Sequence, residues 1–248
     1  MEPRQSKDAL EINIRPLTTI SDFEHCMQLQ REGFGWSDAD LMPMRFFVVT
    51  HHIGGLVLGA FDDGRMVGFL SSLPGFRNGF SYWHSHILAV ETDYRSKGVG
   101  SRLKFAQRDA AIEAGIRWIE WTFDPLEARN AYFNFEKLGV IVNRYYPNFY
   151  GETTGTQGGL PTDRVVAEWW VNHERTPVIG EVRKISINPD IQTLKKVDIQ
   201  SARSLQQRVR SEFQQNLADG FHVVAFEQKA GSSEYLFIHG PSGANRPG

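Results

Sequence analysis

The 248-residue sequence predicts an α/β protein, of the α+β kind, built on a mixed sheet with helices on both faces. Three observations carry that prediction. Runs with two-residue apolar alternation interchange with runs of helical period, and such an order is buried well by layers of sheet and helix. Two of the strand-like runs meet at Asp62-Asp63-Gly64, and Asp-Gly between apolar segments signals a hairpin. A further run, Tyr82 to Val90, reads as apolar on both sides, hence as a central strand, and leads through a glycine-bearing turn into a helical pattern.

The elements follow in order. Glu11 to Leu17 alternates and reads as the first strand. Ser21-Asp22-Phe23-Glu24 has the spacing of a capping box, which predicts a helix to about Arg31 with Phe23, Met27 and Gln30 on one side and Cys26 beside them. Asp38 to His52 suits a second helix. Gly55 to Phe61 and Met66 to Leu73 are the strands of the hairpin. Val99, Leu103, Ala106, Ala110 and Ala114 recur at helical spacing, and Gly115 suits the C-terminal cap. Arg117 to Phe123 reads as a fifth strand and Glu127 to Leu138 as a helix ended by Gly139. Val140 to Tyr146 and Arg164 to Val171 are further strands, and Gly151 to Pro161 is a glycine- and threonine-rich loop. Beyond them, Glu181 to Asn188 looks like a strand. Ala202, Leu205, Val209, Phe213 and Leu217 form a helical stripe, and Phe221 to Glu227 with Tyr235 to His239 a terminal hairpin. The expected division is a principal domain over 10–173, an extension over 174–240, and a tail over 241–248 with too little to bury to be ordered.

Composition narrows the function. A formal net charge of −2 offers no global basic field, so no nucleic-acid partner is expected. The single cysteine, Cys26, excludes an internal disulfide framework and fits a reducing compartment. On an amphipathic helix it reads as a buried, inert thiol. There is no membrane-length apolar run and no signal-peptide pattern, so the expectation is a cytoplasmic protein without a membrane partner.

The most informative stretch is Arg95-Ser96-Lys97-Gly98-Val99-Gly100. The first turn of a helix has N–H groups without intrahelical partners, and the helix dipole adds positive charge there. Gly98 and Gly100 let a ligand approach the main chain, and Arg95 and Lys97 add charge, so the expected ligand group is a pyrophosphate. The GxxxxGK[ST] pattern of a P-loop is absent. A dinucleotide fingerprint would need glycine where Leu103 stands.

Arg-x-x-Gly-x-Gly after Leu88-Ala89-Val90 resembles the coenzyme-A signature of the GNAT superfamily of N-acyltransferases. The resemblance extends over roughly Glu11 to Val171, because the neighbouring strands and helices stand where that family has them. It implies a sheet whose fourth and fifth strands splay around the pantetheine arm, with acetyl-CoA or another acyl-CoA as co-substrate and no metal. Main-chain groups of Leu88, Ala89 and Val90 would hold the pantetheine and acyl carbonyl. The turn Arg95, Ser96, Lys97, Gly98, Val99, Gly100 and Ser101 would hold the pyrophosphate.

The resemblance also frames the chemistry. Some family acetylases carry a glutamate base where this chain has His84, and His86 follows on the same strand face. An imidazole near its ordinary pKa of ~6.5 can accept a proton at neutral pH. Either ring can equally be a hydrogen-bonded core histidine or one that only orders a water. No third ligand joins the pair, so no metal is expected. Many members have a tyrosine acid where this chain has Phe135. Tyr132, one turn earlier, is the substitute, with a core role as the alternative. Asn130 and Asn134 are candidates for the pantetheine amides, although the usual family asparagine corresponds to Ala128.

For the acceptor, Arg144 to Tyr150 is dense in aromatics on the side where the family binds it. Tyr146 and Tyr150 suit the wall of a small-ligand site, or a turn packed under the long loop. Arg129 and Arg144 suit a two-pronged grip on a carboxylate. The stretch Trp121 to Gly139 also looks like a branch with a C-terminal extension, some of whose members resemble amino-acid N-succinyltransferases. The expectation is direct transfer of an acyl group, acetyl or succinyl, to the amine of a small molecule or amino acid. A homodimer is the only macromolecular partner expected. The alternative is an acyl-CoA-binding module without turnover. The extension has three candidate roles: covering the acceptor site, forming an oligomer contact, or enlarging the core.

Overall fold

The computed structural model describes residues 11–34, 41–151, 159–229 and 231–240. The expectations for residues 38–40, for residues 152–158 of the loop and for the tail over 241–248 fall outside those residues. The chain divides into two compact units, one ending at Ile116 and the other beginning at Arg117.

The first unit contains β1 (Ile12–Pro16), α1 (Ile20–Phe34), α2 (Met44–His52), β2 (Leu56–Asp62), β3 (Arg65–Arg77), β4 (Phe80–Val90) and α3 (Val99–Glu113). The four strands pair antiparallel in the order β1-β2-β3-β4. Helices cover both faces, as the alternation predicted. Phe23, Cys26 and Leu29 of α1 and Phe47 of α2 pack with Val57, Phe69, Ile87 and Ala89. On the other face Val99 and Leu103 of α3 pack with Leu58, Ala60, Leu70, Leu88 and Val90. Cys26 lies in the first of these cores, and burial pushes its thiol pKa up.

Three local expectations need correction. The capping box is Thr19 to Asp22, not Ser21 to Glu24: Asp22 N–H donates to Thr19 Oγ1 (3.1 Å), and the Asp22 carboxylate accepts from Thr19 N–H (3.3 Å). Both tetrads have the spacing, but Asp22 also receives the Arg15 guanidinium at 2.8 Å, which fixes the earlier start. β3 and β4 run beyond Leu73 and Tyr82 because Asn78 and Gly79, both at positive φ (51° and 84°), close a tight hairpin. Asn-Gly is a strong hairpin dipeptide, obscured in the sequence by Pro74 and Gly75. Finally, β4 is not uniformly apolar. Its register against β3 shifts between Ser71 and Ser72, leaving His86 as the extra residue of a bulge. Before the bulge, Ser85 faces α3. After it, Leu88 and Val90 do, while Ile87 and Ala89 face α1 and α2.

The second unit contains β5 (Trp118–Phe123), α4 (Ala128–Tyr132), β6 (Ile141–Tyr146), β7 (Arg164–Trp170), β8 (Val182–Ile187), α5 (Ile191–Val197), α6 (Ile199–Ala218), β9 (Phe221–Lys229) and β10 (Ser232–His239). Its strands run in the order β5-β7-β6-β9-β10-β8. The helix expected over Glu127–Leu138 is α-helical only through Tyr132 and continues as a π-helical turn, Phe133–Leu138, ended by Gly139 at φ 71°. The extension holds two helices where one stripe was read. Asp190 and Asp198 cap them by accepting from Thr193 and Ser201 N–H. Strand β9 pairs with β6, so extension residues continue the sheet. Their aromatic rings close the core, with Phe213, Phe226 and Tyr235 in edge contacts and Tyr235 against Phe135 at 5.9 Å.

Candidate active site

In the first unit the chain leaves β4 through a short 3-10 turn, Thr92–Tyr94, and enters α3 at Gly98, which sits at φ 85°. Ser96 is also left-handed, at φ 60°. Glycine meets that backbone demand at 98 without the cost a Cβ would add. Gly98 has no side chain to cap the helix start, so its first N–H groups have no intrahelical or cap side-chain acceptor. At Gly100 the added Cβ would meet only Leu88 and Val90, at 3.5 and 3.9 Å, which is ordinary contact. The chain's own packing therefore does not require glycine there, whereas a close-lying anion would. Arg95 Nε donates to Val90 O (3.1 Å), tying the turn to the end of β4. Lys97 lies over the Tyr94 ring at 5.4 Å, and Tyr94 is anchored by its hydroxyl on Asp62 at 2.5 Å. Arg95, Ser96, Lys97 and Gly98 are exposed, Gly100 and Ser101 half-buried, and Val99 is core.

Helix α3 is fixed to the sheet by polar contacts as well. Lys104 Nζ donates to Ser85 Oγ (3.3 Å) and Gln107 Nε2 to Ser72 Oγ (2.5 Å). Burial holds the Lys104 ammonium well below its ordinary pKa. Leu88 and Val90 turn their side chains into the α3 core and Ala89 into the other, leaving main-chain groups as what this stretch can offer a ligand.

His84 and His86 lie side by side on β4, ring centroids 6.1 Å apart, and His86 packs on Phe46 of α2 at 5.6 Å. His86 keeps an exposed edge, but burial of the rest of its ring, and then the neighbouring His84, hold the imidazole below its ordinary pKa. A neutral imidazole at neutral pH is a competent proton acceptor.

In the second unit Phe135 is completely buried, edge-on to Phe123 (6.4 Å) and Tyr235 (5.9 Å). Tyr132 is half-buried, with Lys137 over its ring at 5.7 Å, and lines a groove with Glu136, Arg175 and residues of β9. Asn130 and Arg129 are exposed on α4, whereas Asn134 is buried in the π-helical turn. Arg144 directs one of its nitrogens inward, between the buried carboxylates of Glu120 (2.7 Å) and Glu168 (2.8 Å). Strand pairing sets those two acids opposite each other, and the arginine from β6 offsets them. Tyr146, Phe149 and Tyr150 form an exposed aromatic cluster with centroid distances of 5.4 and 4.8 Å. Tyr150 shares a hydrogen bond with Thr122 (3.0 Å) and lies under Arg164 at 5.2 Å.

Asp163 does not stand out in the sequence. Its carboxylate is fully buried and accepts from Arg210 (2.7 and 2.8 Å), the Asn148 N–H (3.0 Å) and the Tyr145 hydroxyl. The signal was faint but present: Arg203, Gln206 and Arg210 recur at helical spacing beside the apolar stripe of α6. Among the described residues no three His, Cys, Asp or Glu side chains gather as a metal site.

Residues 21–139 match the model of the Acetyltransferase (GNAT) family. This segment is a GNAT domain. It is the domain of acyl-CoA-dependent N-acetyltransferases, with the mixed α/β fold of that family. Among solved structures similar to the chain is the ribosomal-protein-S18-alanine N-acetyltransferase of Escherichia coli, at 16% identity and TM-score 0.52, covering 68% of this chain and 99% of that one. Another is aminoglycoside 6'-acetyltransferase type Ii, at 19% identity and TM-score 0.52, covering 65% and 99%. A third is Arabidopsis thaliana NAA60 in complex with a bisubstrate analogue, at 16% and 0.52, covering 66% and 99%. At such identities the likeness is one of fold. These GNAT chains are matched end to end, and about a third of the present chain lies outside the 68% matched by the first of them. No curated protein matches the sequence. No helix among the described residues is long and apolar enough to cross a membrane.

Proposed function

We propose that the protein transfers an acetyl group from acetyl-CoA to the amine of a small molecule or amino acid, by direct attack. The observation that carries this reading is the β4 histidine pair, with the His86 imidazole held below its ordinary pKa on a strand that ends in the glycine turn. The residues from Arg95 to Ser101 take the pyrophosphate, and the main chain of Leu88 to Val90 takes the pantetheine. The amine nitrogen attacks the thioester carbonyl and its proton passes to the histidine pair. The C–S bond then breaks and coenzyme A leaves as thiolate. A thiol of pKa ~8.5 is a good enough leaving group to depart without a strong acid, which suits a chain with phenylalanine at position 135. The aromatic cluster at Tyr146, Phe149 and Tyr150 supports recognition of an organic amine. Among the fold neighbours, one is a ribosomal-protein-alanine N-acetyltransferase and another an aminoglycoside acetyltransferase, so the fold serves more than one kind of amine acceptor.

The test is a thiol-release screen crossing acetyl-, propionyl- and succinyl-CoA with tyramine, spermidine, kanamycin, both enantiomers of phenylalanine and lysine, and a tetrapeptide with a free amino terminus. Acetyl-CoA with a small amine is the expected pair. Preference for succinyl-CoA or for the tetrapeptide would overturn the donor or the acceptor assignment. Full activity in the His84→Ala/His86→Ala double variant would remove the pair as base.

A further inference from the structure

We infer that Arg210, in the C-terminal extension, is a positioning residue for amine recognition: through the buried Asp163 carboxylate it holds the aromatic turn Tyr146–Tyr150 in shape. The inference rests on the reading of that turn as the amine-recognition surface.

The bonding runs outward from α6 in one direction. Arg210 reaches Asp163 with two nitrogens, Nε to Oδ2 at 2.8 Å and Nη2 to Oδ1 at 2.7 Å. The same carboxylate accepts from the hydroxyl of Tyr145, which precedes Tyr146, and from the N–H of Asn148, which precedes Phe149. Next to Asp163, Thr162 fixes the rest of the turn. Its carbonyl accepts from Phe149 N–H (2.9 Å) and its hydroxyl from Tyr150 N–H (2.9 Å). Helix α6 holds the 159–163 strap at two more points, Gln206 Nε2 on Pro161 O (2.8 Å) and Arg203 on Gly159 O (3.2 Å). The Tyr145 ring packs on Phe213 of the same helix at 5.5 Å.

A carboxylate with no exposure tolerates its charge only while donors surround it, and among the described residues the Arg210 guanidinium is the full positive charge in direct contact. Without it the buried carboxylate must move toward water or other donors, and that movement loosens the strap on which Phe149 and Tyr150 hang. The extension thus acts on the turn through a charge, a different effect from enlarging the core.

The experiment compares Arg210→Met, Arg210→Lys and Tyr150→Ala with the parent protein. In Arg210→Met the amide hydrogens of Phe149 and Tyr150 should exchange with deuterium about tenfold faster, while those of β9 and β10 keep their rates. With the amines of the screen as probes, the KM for the amine should rise about tenfold while the KM for acetyl-CoA stays within about twofold, and Arg210→Lys should recover part of the loss. Unchanged exchange at Phe149 and Tyr150 overturns the clamp. If Tyr150→Ala raises the amine KM and Arg210→Met does not, the inference falls and the proposed function stands. If neither raises it, the aromatic turn is not the amine surface and both readings of it fall. Equal rises in both KM values, with faster exchange throughout β9 and β10, would reduce Arg210 to a general structural role.

Discussion

The turn at 95–101 and the turn at 145–151 are held by opposite means. The first is made by its own backbone. Left-handed Ser96 and Gly98 and the start of α3 give it shape, its charged side chains lie in solvent, and its side-chain tie to the strand is Arg95 on Val90, five residues away. The second is made from outside. A fully buried Asp163 and an arginine 47 residues further on hold it, and the charges that matter are hidden. The difference teaches how each surface is specified. A phosphate is bound by main-chain N–H groups, so a local sequence suffices. A turn that presents aromatic faces has no such internal frame and takes its shape from elements that arrive later in the chain.

Five substitutions or conditions can break that contrast, from the strongest effect down. Asp163→Ala leaves Arg210 and the Tyr145 hydroxyl without their shared partner and should lower stability by about 3 kcal/mol in urea unfolding. A loss under about 0.5 kcal/mol would mean that the second turn does not depend on the buried charge. Phe135→Tyr puts a hydroxyl between Phe123 and Tyr235, in a site with no exposure. It should cost about 2 kcal/mol and leave kcat no higher, and a faster enzyme would show that the missing acid limits the rate. Gly98→Val forces a β-branched residue into the left-handed region. It should weaken acetyl-CoA binding about tenfold by calorimetry, the equivalent of ~1–2 kcal/mol. Gly100→Ala should weaken binding as well, with the melting temperature unchanged, because its Cβ meets only ordinary contacts. The smallest effect concerns pH. The folded state holds His86 below its ordinary pKa, so the unfolded chain takes up its proton first as pH falls. The contribution of His86 to stability is complete above ~6.5 and declines below it, and the acid limb of kcat/KM should lie under ~6.5 and move when His86 is replaced by glutamine.

What was legible in the sequence follows the same division. The glycine turn, the Asp63-Gly64 hairpin and the stripe of α3 could be read because their determinants are adjacent or one helical turn apart. The capping box was displaced by two residues because Ser21 and Thr19 have the same spacing to an acid, and Arg15, on the preceding strand, decides between them. The bulge at His86 depends on the register with β3, which no periodicity encodes. The contacts of Arg144 with Glu120 and Glu168 could not be read because those acids sit on β5 and β7, far away in the chain. Phe135 could be recognised as lacking an acidic proton, but its burial under Tyr235 could not, since the two are 100 residues apart.

The strand order of the second unit sets a timetable. Strand β6 gains its β9 neighbour only after β7, β8, α5 and α6 have been made, and β8 pairs with β10, the last strand among the described residues. During synthesis, β8 has no strand neighbour until β10 is made, and both its edges are exposed to mispairing with other chains. Long-range closure of this kind slows folding. The second unit should therefore be the slow and aggregation-prone half of the molecule in refolding, and a chain stopped before Ser232 should leave β8 without a partner rather than yield a smaller working enzyme.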